Sequence, residues 1–259
     1  MEAVLRLSRR QSLKRFTVAG AFPWIALAAP AKPLPKIRLV VLDVGGTIIE
    51  DRGDVPEALR SAMAHHGVRS NREEIARLRG ASKREVIRHF VNQQSTSPGV
   101  NQDKLITAIH GEFTTNLIEV YRSVPPITGA GEAIRQLRAS GYLVATTTGF
   151  DRAINTSIFR RLGWEGYFAA SVCSDDVAQG RPSPFMIFHA MEAARVNSVA
   201  EVVAVGDTPL DLQAGNNAGL RAVIGVLSGA STAENLRMEP HTHILPSVAD
   251  LPALLASMT

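Results

Sequence analysis

The stretch LVVLDVGGTIIE, residues 39–50, is apolar up to one aspartate, Asp43, and then turns through Gly45-Gly46-Thr47. Glycines permit backbone angles closed to other residues, so such a turn can leave amide N–H groups free to cradle an anion beside the carboxylate. A second segment, GDTPLD at 206–211, ends another apolar run with two more acids, Asp207 and Asp211. Thr148 follows the run YLVATT (142–147), Asp175 and Asp176 follow FAASVC (168–173), and Arg181 lies in the next loop. One aspartate at a strand end more often makes a turn or caps a helix. Several polar residues brought to one edge make a site, and two or three carboxylates there repel unless a cation joins them. Oxygen ligands of this kind, together with a phosphate and water, suit Mg²⁺.

Whether these residues meet depends on the elements that carry them. Five short apolar runs have buried-strand character: one from near Ile37 to Asp43, then 142–147, 168–173, 201–206 and 221–226. Helical patterns over about 130–140, 151–162, 184–196 and 209–218 separate most of them. Strands alternating with helices predict an α/β fold, a Rossmann-like and mostly parallel sheet with helices on both faces. The residues that follow the strands then share the sheet's carboxyl edge, where ligands of such sheets bind. Residues 54–122 interrupt the rhythm with four amphipathic stretches, PEALRSAMAHHG, NREEIARLRG, SKREVIRHFVNQ and DKLITAIHGEFTTNLIEVYRS, and no convincing strand. They read as an inserted all-helical cap over that edge. The expected organisation is a core over 32–53 and 123–259 and a cap over 54–122.

The first 31 residues have another character. SRRQSLKRF (8–16) puts an arginine pair in a basic segment, and Phe16 to Ala31 follows without a charge and ends in ALAAPA. This is the layout of an export signal, and the Ser-Arg-Arg-x-x-Leu-Lys order resembles the twin-arginine signal of bacteria. The apolar run is short of the ~20 residues a spanning helix needs, and Pro23 interrupts it. The expectation is a signal over 1–31, a periplasmic or otherwise exported protein, and no stable membrane association after cleavage; an unused signal would leave the protein in the cytoplasm. Residues 1–31 hold five of the 28 basic and one of the 24 acidic residues, so the chain from residue 32 carries 23 of each. That balance gives no reason to expect a nucleic acid partner. The single cysteine, Cys173, excludes an intramolecular disulfide and reads as a small buried hydrophobe, and the pairs His65-His66 and His241/His243 read as ordinary histidines.

With Asp43, Thr148, Arg181 and GDTPLD in place, residues 37–257 resemble hydrolases of the haloacid dehalogenase superfamily. The resemblance implies Asp43 as a nucleophile that forms an aspartyl-phosphate, Thr148 as a hydrogen-bond donor to the phosphoryl oxygens, and Arg181, where most members carry lysine, as their positive charge. Mg²⁺ would be held by Asp43, the Gly45 carbonyl, Asp207 and Asp211, with Asp207 a more direct ligand than Asp211. Gly46, Thr47 and Gly149 are expected at the substrate. Gly45 is a departure, because phosphatases of this superfamily usually have an aspartate there as general acid, and losing proton transfer forfeits ~10²–10⁴ in rate.

One branch does without that acid. Phosphonatases have alanine followed by Gly-Thr at this point, and they resemble this chain in TTTGF (146–150), DDVAQGRPSPFM (175–186) and VGDTPLDLQAGNNAGLRAVIGVLSG (205–229). Similarity to phosphonatase-like hydrolases extends to the tail HTHILPSVADLPALL (241–255). The resemblance puts Lys83, in RGASKREVIRHF, where a cap lysine forms a Schiff base with the substrate aldehyde, so that a C–P bond can break. Val86 stands where phosphonatases have histidine, Phe150 where they have tyrosine, and no cysteine follows the first motif. The implied function is a Mg²⁺-dependent, phosphonatase-like hydrolase of a small phosphonate or phosphorylated molecule, with a homodimer paired through the caps. Two other functions stay open: a phosphomonoesterase of phosphoglycolate-phosphatase type, and a phosphate- or phosphonate-binding protein with little turnover.

Overall fold

The computed structural model describes residues 36–94 and 100–258, so the export signal expected over 1–31 lies outside the described residues. In chain order the elements are β1 (Leu39–Asp43), α1 (Asp54–His65), α2 (Arg72–Arg77), α3 (Lys83–Gln94), α4 (Val100–Val120), α5 (Ala130–Ala139), β2 (Leu143–Thr147), α6 (Arg152–Leu162), β3 (Ala170–Val172) and α7 (Phe185–Ala193). Then follow β4 (Val202–Gly206), α8 (Pro209–Asn217), β5 (Ala222–Val226), α9 (Ala233–Arg237), β6 (His243–Leu245) and α10 (Leu251–Ser257). All strand pairs are parallel, in the order β3-β2-β1-β4-β5-β6. The Rossmann-like reading therefore holds, and the five expected strands appear within two or three residues of their expected ends.

The sixth strand, β6, was not among the expected runs. Its three residues are only partly buried at the sheet edge, so it lacks the long apolar signature that marks a central strand.

β1 lies at the centre, and the strand order reverses between it and β4, which is the topological switch point. Leu39 and Val41 face a layer built on α7 and α8, with Met186, Ile187, Ala190 and Ala214. Val40 and Leu42 face the opposite layer, with Ile134 and Leu137 of α5 and Leu251 and Leu255 of α10. This alternation follows from the two-residue period of a strand. Register aligns Asp43 with Thr147 and Leu42 with Val205, so Asp43, Thr148 and Asp207 leave the sheet at neighbouring levels.

Helices α1 to α4 carry no strand and form the cap. Ile106, Ile109, Phe113 and Leu117 of α4 recur at helical spacing and are fully buried with Met63 of α1 and Ile87 and Phe90 of α3. The same hydrophobic cluster continues into the core through Val86, Tyr121 and Phe150. Polar ties join the two parts: Gly180 N–H donates to Glu85 Oε1 at 3.2 Å, and the Thr114 hydroxyl donates to Asp151 Oδ2 at 2.8 Å. Asp151 is also the N-cap of α6, accepting from Ile154 N–H at 3.0 Å.

Candidate active site

The turn after β1 closes on itself. The Ile48 and Ile49 N–H groups both donate to Val44 O, and Gly46 N–H donates to Ile49 O at 2.7 Å. Gly46 has a left-handed φ of 86°, and a Cβ there would overlap the Asp207 carboxylate. Glycine is required twice, for the backbone angle and for room. Its amide, which the sequence offers as an anion donor, is spent on the turn. Thr47 is fully buried with its hydroxyl 3.5 Å from Asp207 Oδ1, and neither Gly46 nor Thr47 lines the cavity described below.

GDTPLD turns from β4 into α8 through a capping box. Thr208 N–H and its hydroxyl donate to Asp211 Oδ2 at 3.0 and 2.6 Å, and Pro209 occupies the first turn, where its missing N–H costs nothing. Asp211 Oδ1 meets Arg181 Nη1 at 2.9 Å. Both Asp211 oxygens therefore have partners. Asp207 Oδ2 accepts from Ala230 N–H at 2.7 Å, and Asp207 lines the cavity.

Arg181 is buried and fixed from three sides. Its Nη1 meets Asp43 Oδ1 at 2.8 Å as well as Asp211, and its Nη2 donates to the carbonyl and hydroxyl oxygens of Thr147, each at 2.8 Å. Thr148 Oγ1 accepts from Phe150 N–H at 3.1 Å, which leaves its own proton to donate into the cavity.

Asp43, Asp207 and Asp211 each place a carboxylate oxygen within 4.8 Å of the others, all buried. Burial raises the Asp43 pKa to about 7 against the opposing pull of Arg181, and burial followed by the charge of Asp43 raises Asp207 well above the usual range. Carboxylates that resist ionisation in this way are relieved by a divalent cation. The all-oxygen donor set fits Mg²⁺, with Asp43 and Asp207 on the cavity wall and Gly45 beside them.

Lys83 comes to this site from the cap. It opens α3, is 6% exposed, donates from Nζ to Ala81 O at 2.8 Å and lies 5.8 Å over the Phe150 ring. Burial first, and then the charge of Arg181, lower its pKa to about 8. Gly149 makes the approach feasible, since a Cβ there would fall 2.6 Å from Ala81 O and 3.1 Å from Lys83 Nζ. Gly45 and Phe150, two separate departures in the sequence, are neighbours here: a Cβ on Gly45 would meet Phe150 Cζ at 3.3 Å. The ring is in tight contact with the start of any side chain at position 45 and would have to give by a few tenths of an ångström to admit one.

These residues line a cavity of about 50 Å³, room for a few waters and so for a small ligand. Asp43, Gly45, Lys83, Thr148, Gly149, Arg181 and Asp207 are on its wall. Asp175 and Asp176 are not: both are exposed, Asp175 accepting from Arg152 N–H at 3.0 Å and Asp176 from Cys173 N–H at 2.7 Å. His65 and His66 both reach Glu112 on the cap surface, at 3.0 and 3.1 Å, away from the cavity. Cys173 is buried, and burial pushes its thiol up to about 12. The sequence reading missed Asp51, Arg79 and Tyr121, which also line the cavity. Asp51 and Arg79 stand eight and four residues from Asp43 and Lys83, but nothing in their spacing separates them from surface charges.

A profile of haloacid dehalogenase-like hydrolases matches residues 37–219. The phosphonoacetaldehyde hydrolase of Bacillus cereus is 30% identical over 207 residues, covering 76% of this chain and 78% of that protein. The phosphonoacetaldehyde hydrolase of Latilactobacillus sakei is 29% identical over 211 residues, with the same shares covered. A crystal structure of a phosphonoacetaldehyde hydrolase-like protein from Oleispira antarctica superposes with a TM-score of 0.74 at 21% identity, over 86% of this chain and 93% of that one.

Proposed function

The chain belongs to the haloacid dehalogenase-like hydrolases, in their phosphonoacetaldehyde-hydrolase-like branch, and within that branch we propose that it is a Mg²⁺-dependent hydrolase cleaving the C–P bond of a small β-carbonyl phosphonate. The observation that carries this reading is Lys83: an amine with a lowered pKa, buried in the same small cavity as Asp43 and Arg181.

The neutral Lys83 amine condenses with the substrate carbonyl, losing water to form an imine, which takes up a proton from solvent to become an iminium. An Asp43 oxygen attacks phosphorus; as that bond forms the C–P bond breaks, and its electron pair moves into the iminium to give an enamine. Protonation at carbon and hydrolysis of the imine return Lys83 and release the carbonyl product. A second water cleaves the aspartyl-phosphate, freeing phosphate and Asp43. Mg²⁺, held by Asp43, Asp207 and the Gly45 carbonyl and supported by Asp211, would neutralise charge between the attacking carboxylate and the phosphoryl group. Arg181, already fixed by Asp211 and Thr147, presents positive charge to that group, and Thr148 donates its hydroxyl proton. Gly45 is tolerated because a carbon leaving group draws no benefit from an acid aimed at an oxygen.

Incubation with Mg²⁺ and phosphonoacetaldehyde, with and without borohydride, tests the scheme through phosphate release and the mass of the Lys83 peptide. Phosphate together with a reduced adduct on Lys83, both lost in Lys83→Arg, is the expected result. Phosphate ester hydrolysis without any adduct, with a rate rising steeply with leaving-group acidity, would replace the reading with a phosphomonoesterase. Binding without turnover of either class would leave a phosphonate-binding protein.

The reading includes export through residues 1–31 and pairing of two copies through their caps. A reporter fusion should stay in the cytoplasm when Arg9 and Arg10 become lysines, and light scattering should return twice the chain mass.

A further inference from the structure

The cavity wall carries a second pair of charged side chains that the steps at Asp43 leave unused. Arg79 and Asp51 both line it, Arg79 just before Gly80 on the approach to α3 and Asp51 on the segment leading into the cap. Arg79 Nη1 meets Asp51 Oδ2 at 3.3 Å, and Gly53 N–H donates to the other Asp51 oxygen at 2.8 Å. One tip of the guanidinium is thereby held. Its Nε is buried and has no hydrogen-bond partner among the described residues. Val55, Leu59, Ile75 and Leu78 on the same cavity wall offer no side-chain acceptor, and leaving such a donor unpaired is costly.

A guanidinium offers a planar fork of donors. With Nη1 engaged by Asp51, the edge formed by Nε and Nη2 is the one that matches the two oxygens of a carboxylate. Lys83 lines the same cavity as Asp43, Asp51 and Arg79, so an amine, a nucleophile and a guanidinium open onto one space.

We propose that Arg79 reads the leaving group, and that the favoured leaving group carries a carboxylate on its carbonyl carbon: the preferred substrate class is a 3-phosphono-2-oxo acid, with a phosphono-aldehyde turned over less well. The inference rests on the reading of Asp43 as the phosphoryl end and deepens it. Such a molecule carries a phosphoryl, a keto and a carboxylate group, one for each of Asp43, Lys83 and Arg79 on the cavity wall. The aldehyde has only a hydrogen to set against the guanidinium.

The test uses two unreactive phosphonates of equal length, 3-phosphonopropionate and propylphosphonate, which differ in a carboxylate against a methyl group. Neither has a carbonyl for Lys83, so their binding is independent of Schiff-base chemistry. Calorimetric titration of the Mg²⁺-loaded full chain should show 3-phosphonopropionate binding at least ten-fold more tightly. The preference should fall to about one in Arg79→Met and to an intermediate value in Arg79→Lys, which keeps the charge but loses the fork. Arg79→Lys carries the test alone if the methionine variant does not fold. Equal affinities in the unaltered protein, a preference that survives in a folded Arg79→Met, or no binding of either ligand would overturn the proposal. A retained preference with no C–P cleavage of either the keto acid or the aldehyde would instead overturn the Schiff-base mechanism and leave the role of Arg79 standing.

Discussion

The end of the cavity on the sheet and the end under the cap are held in different ways. On the sheet, Arg181 is fixed by Asp43, Asp211 and Thr147, and Asp211 is closed into the capping box of α8. Asp43 and Thr147 sit on strand ends whose level is set by backbone register. Under the cap, Lys83 Nζ donates to Ala81 O, and Arg79 is tied through Nη1 to Asp51, on a wall that includes apolar side chains from α1 and α2. A phosphoryl group has the same shape in every substrate, so a rigid receptor suits it. The leaving group varies, and its recognition is left to side chains that can change without disturbing the sheet.

The largest expected effect breaks the rigid end. Asp43→Asn should lower phosphate release by a factor on the order of 10⁴ or more, measured by single-turnover phosphate assay, while the preference for 3-phosphonopropionate over propylphosphonate survives. Loss of both would mean that the two ends are not separable.

Lys83→Met should abolish C–P cleavage and also stabilise the fold. The native pKa of about 8 lies below the ordinary 10.5. The folded state therefore disfavours the proton, a penalty of roughly 3 kcal/mol at neutral pH from ~1.4 kcal/mol per unit. The penalty is complete below about pH 8 and fades as pH rises toward 10.5, so the gain from Lys83→Met should be largest near neutrality and vanish in alkali. Denaturant unfolding at pH 7 and pH 10 measures it. In the unaltered enzyme, the same pKa predicts a C–P cleavage rate that climbs with pH through about 8 as the amine loses its proton; a flat profile there would remove Lys83 from the mechanism.

Gly45→Asp tests the boundary between the two ends. Gly45→Asp alone should not restore the usual general acid, because the new side chain is crowded by Phe150. The double variant Gly45→Asp with Phe150→Ala should hydrolyse phosphate esters better than the single one, with a coupling of about 0.5–3 kcal/mol in a double-mutant cycle. Additive behaviour would show that the ring does not control position 45. The smallest effect is expected from Glu85→Gln, which weakens the tie to Gly180 N–H. Its cost should be about 1 kcal/mol in stability, with a modest rise in KM.

Much of the core end was legible in the sequence. Asp43, Asp207 and Arg181 follow apolar runs or their loops, and parallel strands bring such positions together whatever the details of packing. β6 was not legible, since an edge strand of three half-buried residues leaves no periodic trace. Asp175 and Asp176 follow β3 as Asp43 follows β1, yet they turn outward to Arg152. Position after a strand brings a residue to the sheet edge but does not aim its side chain.

By itself, the chain's pattern determined the α/β architecture, the helical insertion after β1 and the carboxylate cluster at the switch point, because these depend on local periodicity and on the order of elements. Only tertiary structure decided that Lys83 is buried in one cavity with Asp43, that Phe150 crowds the space next to Gly45, and that Arg79 and Asp51 pair on the wall of that cavity. Each of these joins residues far apart in the chain through side-chain packing between cap and core, and a linear pattern carries no record of which surfaces will be pressed together.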